Sequence, residues 1–295
     1  MDLICILGPT AVGKTKLSIE LAKKINAEII SGDAFQFYKG LDIGTAKASK
    51  EEQALVPHHL LDILDPQESF SVADYQKIVR HKIEEIREKN KTPILVGGSG
   101  LYLQSIIKDY QFKGPQRHDL YENMDLSQLQ SLLKMKHPDL VHEIDMQNKR
   151  RLIRALEKSE DQFQNNPKDY YKDFMVIGLR SPREDLYQRI DQRVIDMVNK
   201  GLLDEVKKLY DAKIHSQATQ AIGYKELYEY FDGQIDLQEA IALIQRNSRR
   251  YAKRQMTWFR NKMDVLWFDI HIENFDQTIK QVIETIKKTH PKMDL

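Results

Sequence analysis

Residues 8–15, Gly-Pro-Thr-Ala-Val-Gly-Lys-Thr, follow a short apolar run at Leu3–Leu7 and lead into a helix-patterned stretch, which is the setting a phosphate-cradling loop requires. Gly8 and Gly13 let the backbone turn its N–H groups toward phosphate oxygens. The following helix offers its positive end, Lys14 adds a point charge, and the Thr15 hydroxyl can hold Mg2+. Gly8, Pro9, Thr10, Ala11, Val12, Gly13, Lys14 and Thr15 are therefore candidate ligands of a di- or triphosphate, as in nucleotide-binding and ATP-binding loops. The pattern by itself does not make that ligand ATP.

Many nucleotidases of this kind carry a metal-holding carboxylate at the end of another apolar strand. Here the strongest candidate strand, in Pro93–Gly100, ends in glycines and a hydroxyl, which weakens a plain nucleoside triphosphatase reading. A carboxylate stands instead at the end of the second strand, in Ala27-Glu-Ile-Ile-Ser-Gly-Asp33. Carboxyl ends of parallel strands face the ligand crevice, so Asp33 is a candidate general base; a cap on the following turn is its bland alternative. After it, Ala34, Phe35, Gln36, Phe37 and Tyr38 read either as an amide and aromatic rings that hold a base or as a packed loop.

Arginine pairs spaced one helical turn apart mark three further places. Arg189 and Arg193 can clamp a leaving diphosphate, or they pair with Glu184, Asp185 or Asp196. Arg150 and Arg154 can face one phosphate chain. A third group, Arg246, Arg249, Arg250, Lys253, Arg254, Arg260 and Lys262, lies without interleaved acids on a long helical stretch whose apolar stripe is Ile241, Ile244, Tyr251 and Trp258. Acid-free basic clusters in a chain of net charge +1 point to a polyanion such as RNA, and a solvated helix face is the alternative. His58, His59 and the other histidines show no metal-ligand spacing.

Elements must hold these groups in register. Strand-like runs at Leu3–Leu7, Glu28–Ile30, Leu60–Ile63, Ile94–Val96, Phe174–Leu179 and Val265–Phe268 alternate with helical patterns, which predicts an α/β fold with a P-loop-type parallel sheet flanked by helices. Helices are expected at Lys14–Ile25, Ser71–Asn90, Leu101–Lys108, Pro182–Asn199, Leu202–Tyr210, Lys225–Phe231, Leu237–Asn261 and Asn274–Lys288. Between Gln111 and Tyr171 the strand signal vanishes, leaving helical pieces near Leu126–Met135 and Lys149–Lys158 between Gly114-Pro115 and Asn165-Asn166-Pro167. This predicts an inserted helical subdomain at 111–171, with 1–110 and 172–295 forming the catalytic core.

Composition agrees with a soluble chain of 295 residues, 41% hydrophobic and 30% charged. The longest uncharged stretch, Thr92–Ile107, is short for a membrane span and is broken by proline and glycines. The single cysteine, Cys5, cannot form an internal disulfide and suits a reducing cytoplasm. No leader precedes the first strand, so a cytoplasmic location is expected.

Seven ordered segments, 8–15, 31–38, 40–47, 96–102, 150–157, 220–226 and 252–260, together closely resemble the tRNA dimethylallyltransferase (tRNA isopentenyltransferase) family nearly end to end. The resemblance implies transfer of a dimethylallyl group from dimethylallyl diphosphate to the exocyclic amine of the adenosine 3′-adjacent to a tRNA anticodon, with Mg2+. It implies that the loop at 8–15 holds the diphosphate with Thr15 toward the metal, and that Asp33 takes the amine proton. Asp33, Ala34, Phe35 and Gln36, Ser99, and Arg150, Arg151, Leu152, Ile153 and Arg154 match segments that contact tRNA, while Arg189 and Arg193 resemble the diphosphate-side arginines. The expected partners are an anticodon stem-loop and the prenyl diphosphate, with no membrane and the protein a monomer. Met146 and Ala34 depart from the family's usual proline and serine without removing a catalytic group. Rival readings are a prenyltransferase acting on free adenine nucleotides, an ATP-dependent small-molecule kinase and a non-catalytic RNA-binding module; a free nucleotide needs no such basic surface.

Overall fold

Along Leu3–Leu7 (β1) alternate side chains enter opposite faces of a sheet: Ile4 and Ile6 pack with one apolar cluster, Leu3, Cys5 and Leu7 with another. A strand apolar on both faces belongs at the centre of a parallel sheet, and β1 is central. The computed structural model describes residues 1–112, 121–142, 144–157 and 167–291. In chain order its elements are β1, α1 (Lys14–Lys24), β2 (Ala27–Ser31), α2 (Lys50–Leu55), β3 (His58–His59), α3 (Val72–Glu88), β4 (Thr92–Gly97), α4 (Gly100–Ile107), α5 (Leu126–Lys136) and α6 (Lys149–Glu157). They continue with β5 (Phe174–Arg180), α7 (Arg183–Asn199), α8 (Leu202–Asp211), α9 (Tyr224–Phe231), α10 (Leu237–Lys262), β6 (Leu266–Asp269) and α11 (Phe275–Thr289).

The chain divides into two compact units, Met1–Lys108 with Asp169–Leu295, and Asp109–Lys168. In the larger unit six parallel strands run in the order β3-β2-β4-β1-β5-β6. Helices α1 and α11 cover one face through Leu17, Leu21, Val282 and Ile286. On the other, Tyr75, Val79 and Ile83 of α3, Leu103 and Ile106 of α4 and Phe259 of α10 pack on Leu3, Cys5 and Leu7. Cys5 is fully buried there, and burial pushes its thiol pKa up, so it is inert. A third cluster joins Tyr38 and Leu41 to α8, α9 and the first half of α10. The consequence for function is that β1, β2, β4 and β5 all point their carboxyl ends the same way, so the segments after them share one edge. Among the described residues no helix is long and apolar enough to cross a membrane.

The smaller unit packs α5 and α6 around Leu129, Leu133, Leu152 and Leu156, with Tyr121 and the short turn Pro138–His142. Asp125 starts α5 by accepting the Gln128 N–H, while the Gln128 side chain reaches back to Asp125 N. Gly114-Pro115 and Asn165-Asn166, read as the borders of an insert, lie outside the described residues.

Two expectations need correction. The third strand is His58–His59, earlier than Leu60–Ile63, because Leu60 and Asp62 take positive φ of 62° and 56° and turn the chain out of the sheet. The buried face of α10 is Ala240, Ile244, Ala252, Gln255 and Phe259, while Tyr251 and Trp258 are only partly buried. Small and polar residues on that face carry no hydrophobic signal, so the apolar periodicity pointed to its flank. The helix Lys50–Leu55, capped by Ser49 and Glu52, was not anticipated from the pattern.

Candidate active site

The loop between β1 and α1 is held in shape by groups from distant parts of the chain. Gly13 has φ 100°, and a Cβ there would lie 2.6 Å from the Phe275 ring of α11, so both the conformation and the close approach demand glycine. Arg189 of α7 donates from Nε to Ala11 O at 2.9 Å. Lys14 Nζ folds back onto the loop, donating to Gly8 O (3.0 Å) and Pro9 O (2.8 Å). Burial first, then the nearby Arg193, lowers the Lys14 pKa to about 7, against the opposing pull of Asp33.

The loop forms one wall of a cavity of about 730 Å3, a volume suited to a substrate-sized ligand. Lys14, Arg189, Arg193, Lys225 and Arg254 line it, against only two carboxylates, Asp33 and Asp196. That excess of cations selects for an anion. Arg189 and Arg193 have no ion pair with Glu184, Asp185 or Asp196 among the described residues; Asp196 accepts from Gln192 instead, and Asp191 pairs with Arg249. Burial holds the Arg193 guanidinium below its usual pKa, with Asp33 favouring and Arg189 opposing its charge.

Asp33 lies two residues past β2 in the same cavity. Its Oδ1 accepts the Phe35 N–H at 3.1 Å, so it does cap the turn after the strand. Among the described residues no hydrogen bond reaches its second oxygen. Burial raises its pKa, outweighing the Phe35 N–H, Lys14 and Arg193, which all favour the anion. A carboxylate made more basic by desolvation while standing beside cations is suited to accept a proton.

Two other carboxylates shape the cavity from outside it. Glu205 of α8 accepts the backbone N–H groups of Asp42, Ile43 and Gly44 at 2.8–2.9 Å and the Tyr224 hydroxyl. Glu226, buried in α9, accepts from Gly223 N and Asn247 Nδ2, both at 2.7 Å. They fix the segments that bring Gly44, Thr45, Ala46, Gln220 and Gly223 to the cavity wall. Neither was given a task from the sequence: Glu205 stands alone on its helix, and Glu226 only closes the segment 220–226.

The residues read as a base-holding cluster divide. Phe35 lines the cavity, but Phe37 and Tyr38 are fully buried in two apolar clusters and cannot stack on a ligand. Gln36 reaches the cavity, yet its amide is engaged: Oε1 accepts from Ser31 Oγ (2.9 Å), and Nε2 donates to Thr45 O and Ala46 O. This stretch is therefore in large part the packed loop of the alternative reading. Ser99, at the start of α4, accepts the Ala34 N–H at 3.3 Å, tying the segment after β4 to the one after β2.

Arg150, Arg151 and Arg154 lie on α6 in the smaller unit, exposed. Arg150 and Arg154 line a second cavity of about 310 Å3 with Glu122, Lys149, Ile153 and Glu157, and Arg154 also pairs with Glu157 at 3.5 Å. Leu152 and Ile153, grouped with the arginines as tRNA contacts, are 0% and 5% exposed and their side chains build the unit's core. Leu152 holds the helix in the core, and Ile153 does so while also lining the second cavity. Among the described residues no cluster of three or more His, Cys, Asp or Glu could cage a metal; His59 instead bonds Glu28 at 2.6 Å.

Gln255 was not singled out from the sequence and Tyr251 was read only as part of an apolar stripe, yet both reach the cavity from α10. Both stand beside or within the segment 252–260, so the motif marked their neighbourhood without their task.

Comparison with known proteins agrees with this architecture. A family model described as IPP transferase matches residues 36–262. The chain is 48% identical to a tRNA dimethylallyltransferase of Anoxybacillus flavithermus, with 96% of each chain covered, and 50% identical to one of Bacillus subtilis, with 90% of each covered. Among solved structures it is similar to a tRNA isopentenylpyrophosphate transferase of Bacillus halodurans (TM-score 0.78, 47% identity, 97% of this chain and 95% of that one). It is also similar to a eukaryotic dimethylallyltransferase acting on tRNA (TM-score 0.82, 29% identity, 97% and 78%). With the family model spanning most of the sequence and relatives near half identical over almost its whole length, the chain belongs to the tRNA dimethylallyltransferase, or IPP transferase, family.

Proposed function

We propose that this enzyme transfers a dimethylallyl group from dimethylallyl diphosphate to the exocyclic amino group of the adenosine 3′-adjacent to the anticodon in tRNA, releasing diphosphate. One observation carries the reading: a phosphate-type loop, four arginine or lysine side chains beyond it and a desolvated carboxylate share a single cavity. The family membership names the reaction class, and the cavity supplies groups for both of its halves.

An adenine amino group is a weak nucleophile, because its lone pair is delocalised into the ring, so the allylic carbon must be made electrophilic. As its carbon–oxygen bond breaks, the electron pair leaves with the diphosphate. Loop N–H groups, Lys14, Arg189 and Arg193 stabilise that growing charge. The new carbon–nitrogen bond leaves nitrogen cationic, and its proton passes to the second oxygen of Asp33, the first being held by Phe35 N–H. Thr15, whose residue lines the cavity, would hold Mg2+ through its hydroxyl. With no carboxylate cage among the described residues, the diphosphate itself would supply further oxygens, as Mg2+ commonly allows. The metal would neutralise charge on the leaving group.

The exposed arginines of α6 and the basic face of α10, with Arg246, Arg250, Lys253 and Arg254 exposed, offer phosphate contacts to an anticodon stem-loop. The target base would leave its stack before reacting. We further read the protein as a cytoplasmic monomer. A single-turnover reaction with unmodified anticodon stem-loop and dimethylallyl diphosphate tests the proposal: the RNA gains the mass of one dimethylallyl group and diphosphate appears. Release of ADP from ATP with the RNA unchanged would sink it in favour of a kinase.

A further inference from the structure

Gln255 is a polar residue on the buried face of α10, 4% exposed, where periodicity calls for an apolar one. Its amide spans two backbone segments. Oε1 accepts the N–H of Thr10, inside the phosphate loop, at 3.2 Å, and Nε2 donates to the carbonyl of Gly98, just past β4, at 2.9 Å. The second contact requires glycine: a Cβ at Gly98 would stand 2.2 Å from Gln255 Nε2. The amide therefore ties the entry of the loop to the neighbouring strand end, and it occupies one of the loop's own N–H donors.

We propose that Gln255 is a positioning residue for diphosphate binding, setting the shape of the loop through Thr10 and Gly98, and that it withdraws the Thr10 N–H from the phosphate cradle. This deepens the diphosphate reading of the loop and rests on it. The chemistry needs a donor and an acceptor on one short head, which an amide supplies. An apolar side chain of the same size leaves a buried N–H and a buried carbonyl without partners, so the loop entry must rearrange to satisfy them. An ionised carboxylate keeps the acceptor for Thr10 but presents an oxygen to the Gly98 carbonyl. A protonated carboxyl restores both contacts.

That difference gives a test which general loss of packing does not imitate. Binding of inorganic pyrophosphate with Mg2+ is measured by calorimetry on the full-length protein, Gln255→Leu and Gln255→Glu, alongside binding of an anticodon stem-loop. Gln255→Leu is expected to weaken pyrophosphate binding by about 10- to 100-fold, the scale of a small misplacement of binding groups, with RNA affinity within about twofold of the parent. Relative to the parent at each pH, Gln255→Glu should be as weak as Gln255→Leu at about pH 8.5 and recover toward parental affinity at about pH 6, since a buried carboxyl protonates well above its usual range. The groups facing the site are Tyr251 and Arg254 on the same helix, Lys14, Arg189 and Arg193 around the loop, and Asp33; because the Lys14 pKa is lowered to about 7, Gln255→Leu is followed over the same pH series and the acid recovery is read as the ratio of Gln255→Glu to Gln255→Leu. Parental pyrophosphate affinity in Gln255→Leu, or no acid recovery in Gln255→Glu, overturns the assignment. If Gln255→Leu fails to fold, the recovery of Gln255→Glu decides it. A parent protein that does not bind pyrophosphate overturns the diphosphate reading itself, and this assignment with it.

Discussion

One carboxylate stands in strand β2 and another just past its end, and their pKa values are pushed in opposite directions. Glu28, its second residue, is 3% exposed, and burial disfavours its charge; hydrogen bonds from Lys91 (2.8 Å) and His59 (2.6 Å), with Lys89 near, outweigh that and hold its pKa below the ordinary range. Asp33, two residues past the strand, also has cations nearby, Lys14 and Arg193, yet burial wins and its pKa is raised. The contrast lies in direct contact. Glu28 is gripped by side-chain donors at hydrogen-bond distance, whereas among the described residues the donor to Asp33 is a backbone N–H. A carboxylate satisfied by its partners stabilises a fold; one kept short of partners retains basicity for chemistry.

The contrast is broken most directly at Asp33. Asp33→Asn is expected to lower single-turnover prenylation by about 10²–10⁴, the usual worth of a positioned base, while melting at or above the parental temperature. The sign follows from its raised pKa: ionising Asp33 costs more in the folded than in the unfolded chain, so the penalty on folding grows as pH rises through the unfolded pKa and is full above the folded one, and a neutral amide avoids it. Near-parental turnover would remove Asp33 from proton transfer. In the parent, rate should fall with acid at a midpoint above the ordinary carboxylate range, a matter of one pH–rate profile.

Arg193→Gln sharpens the same point from the other side. Loss of one donor to the leaving diphosphate should cost about 10²–10³ in turnover, and the pH–rate midpoint should move further up, since Arg193 favours the Asp33 anion. A midpoint that does not move would show that the two groups do not communicate.

At Glu28 the expected loss is of stability and not of rate. Glu28→Gln should cost about 1–3 kcal/mol, read by urea unfolding, with prenylation per folded molecule unchanged. Because the Glu28 pKa is depressed on folding, its contribution is present above the unfolded value and lost as pH falls through the folded one. Parent and variant should therefore converge in acid; a constant gap across pH would mean that the carboxylate's charge is irrelevant. The smallest change is expected at Arg150, exposed on α6. Arg150→Ala should weaken stem-loop binding a few-fold and reduce the slope of affinity against salt by about one, measured by filter binding over a salt series.

Much of this molecule could be read before any coordinates. Residues 8–15, flanked by strand and helix, announce an anion loop because glycine spacing and a lysine do one local thing. The alternation of apolar runs announces the parallel sheet, and Asp33 follows from its place after a strand. Reading failed where meaning depends on a partner. Phe37 and Tyr38 have the composition of a stacking platform but are core, and Leu152 and Ile153 share a motif with exposed arginines but face inward.

The sequence by itself determined the elements, the loop that can hold phosphate and the carboxylate at the strand end, since these follow from local backbone freedom and side-chain periodicity over a few residues. Only the tertiary structure decided that Asp33 is desolvated while Glu28 is paired, that Glu205 and Glu226 brace the cavity walls, and that Gln255 reaches the phosphate loop across 245 residues of sequence. Burial and hydrogen-bond partnership are properties of neighbours, and neighbours distant along the chain are chosen only when the sheet and its helices close around them.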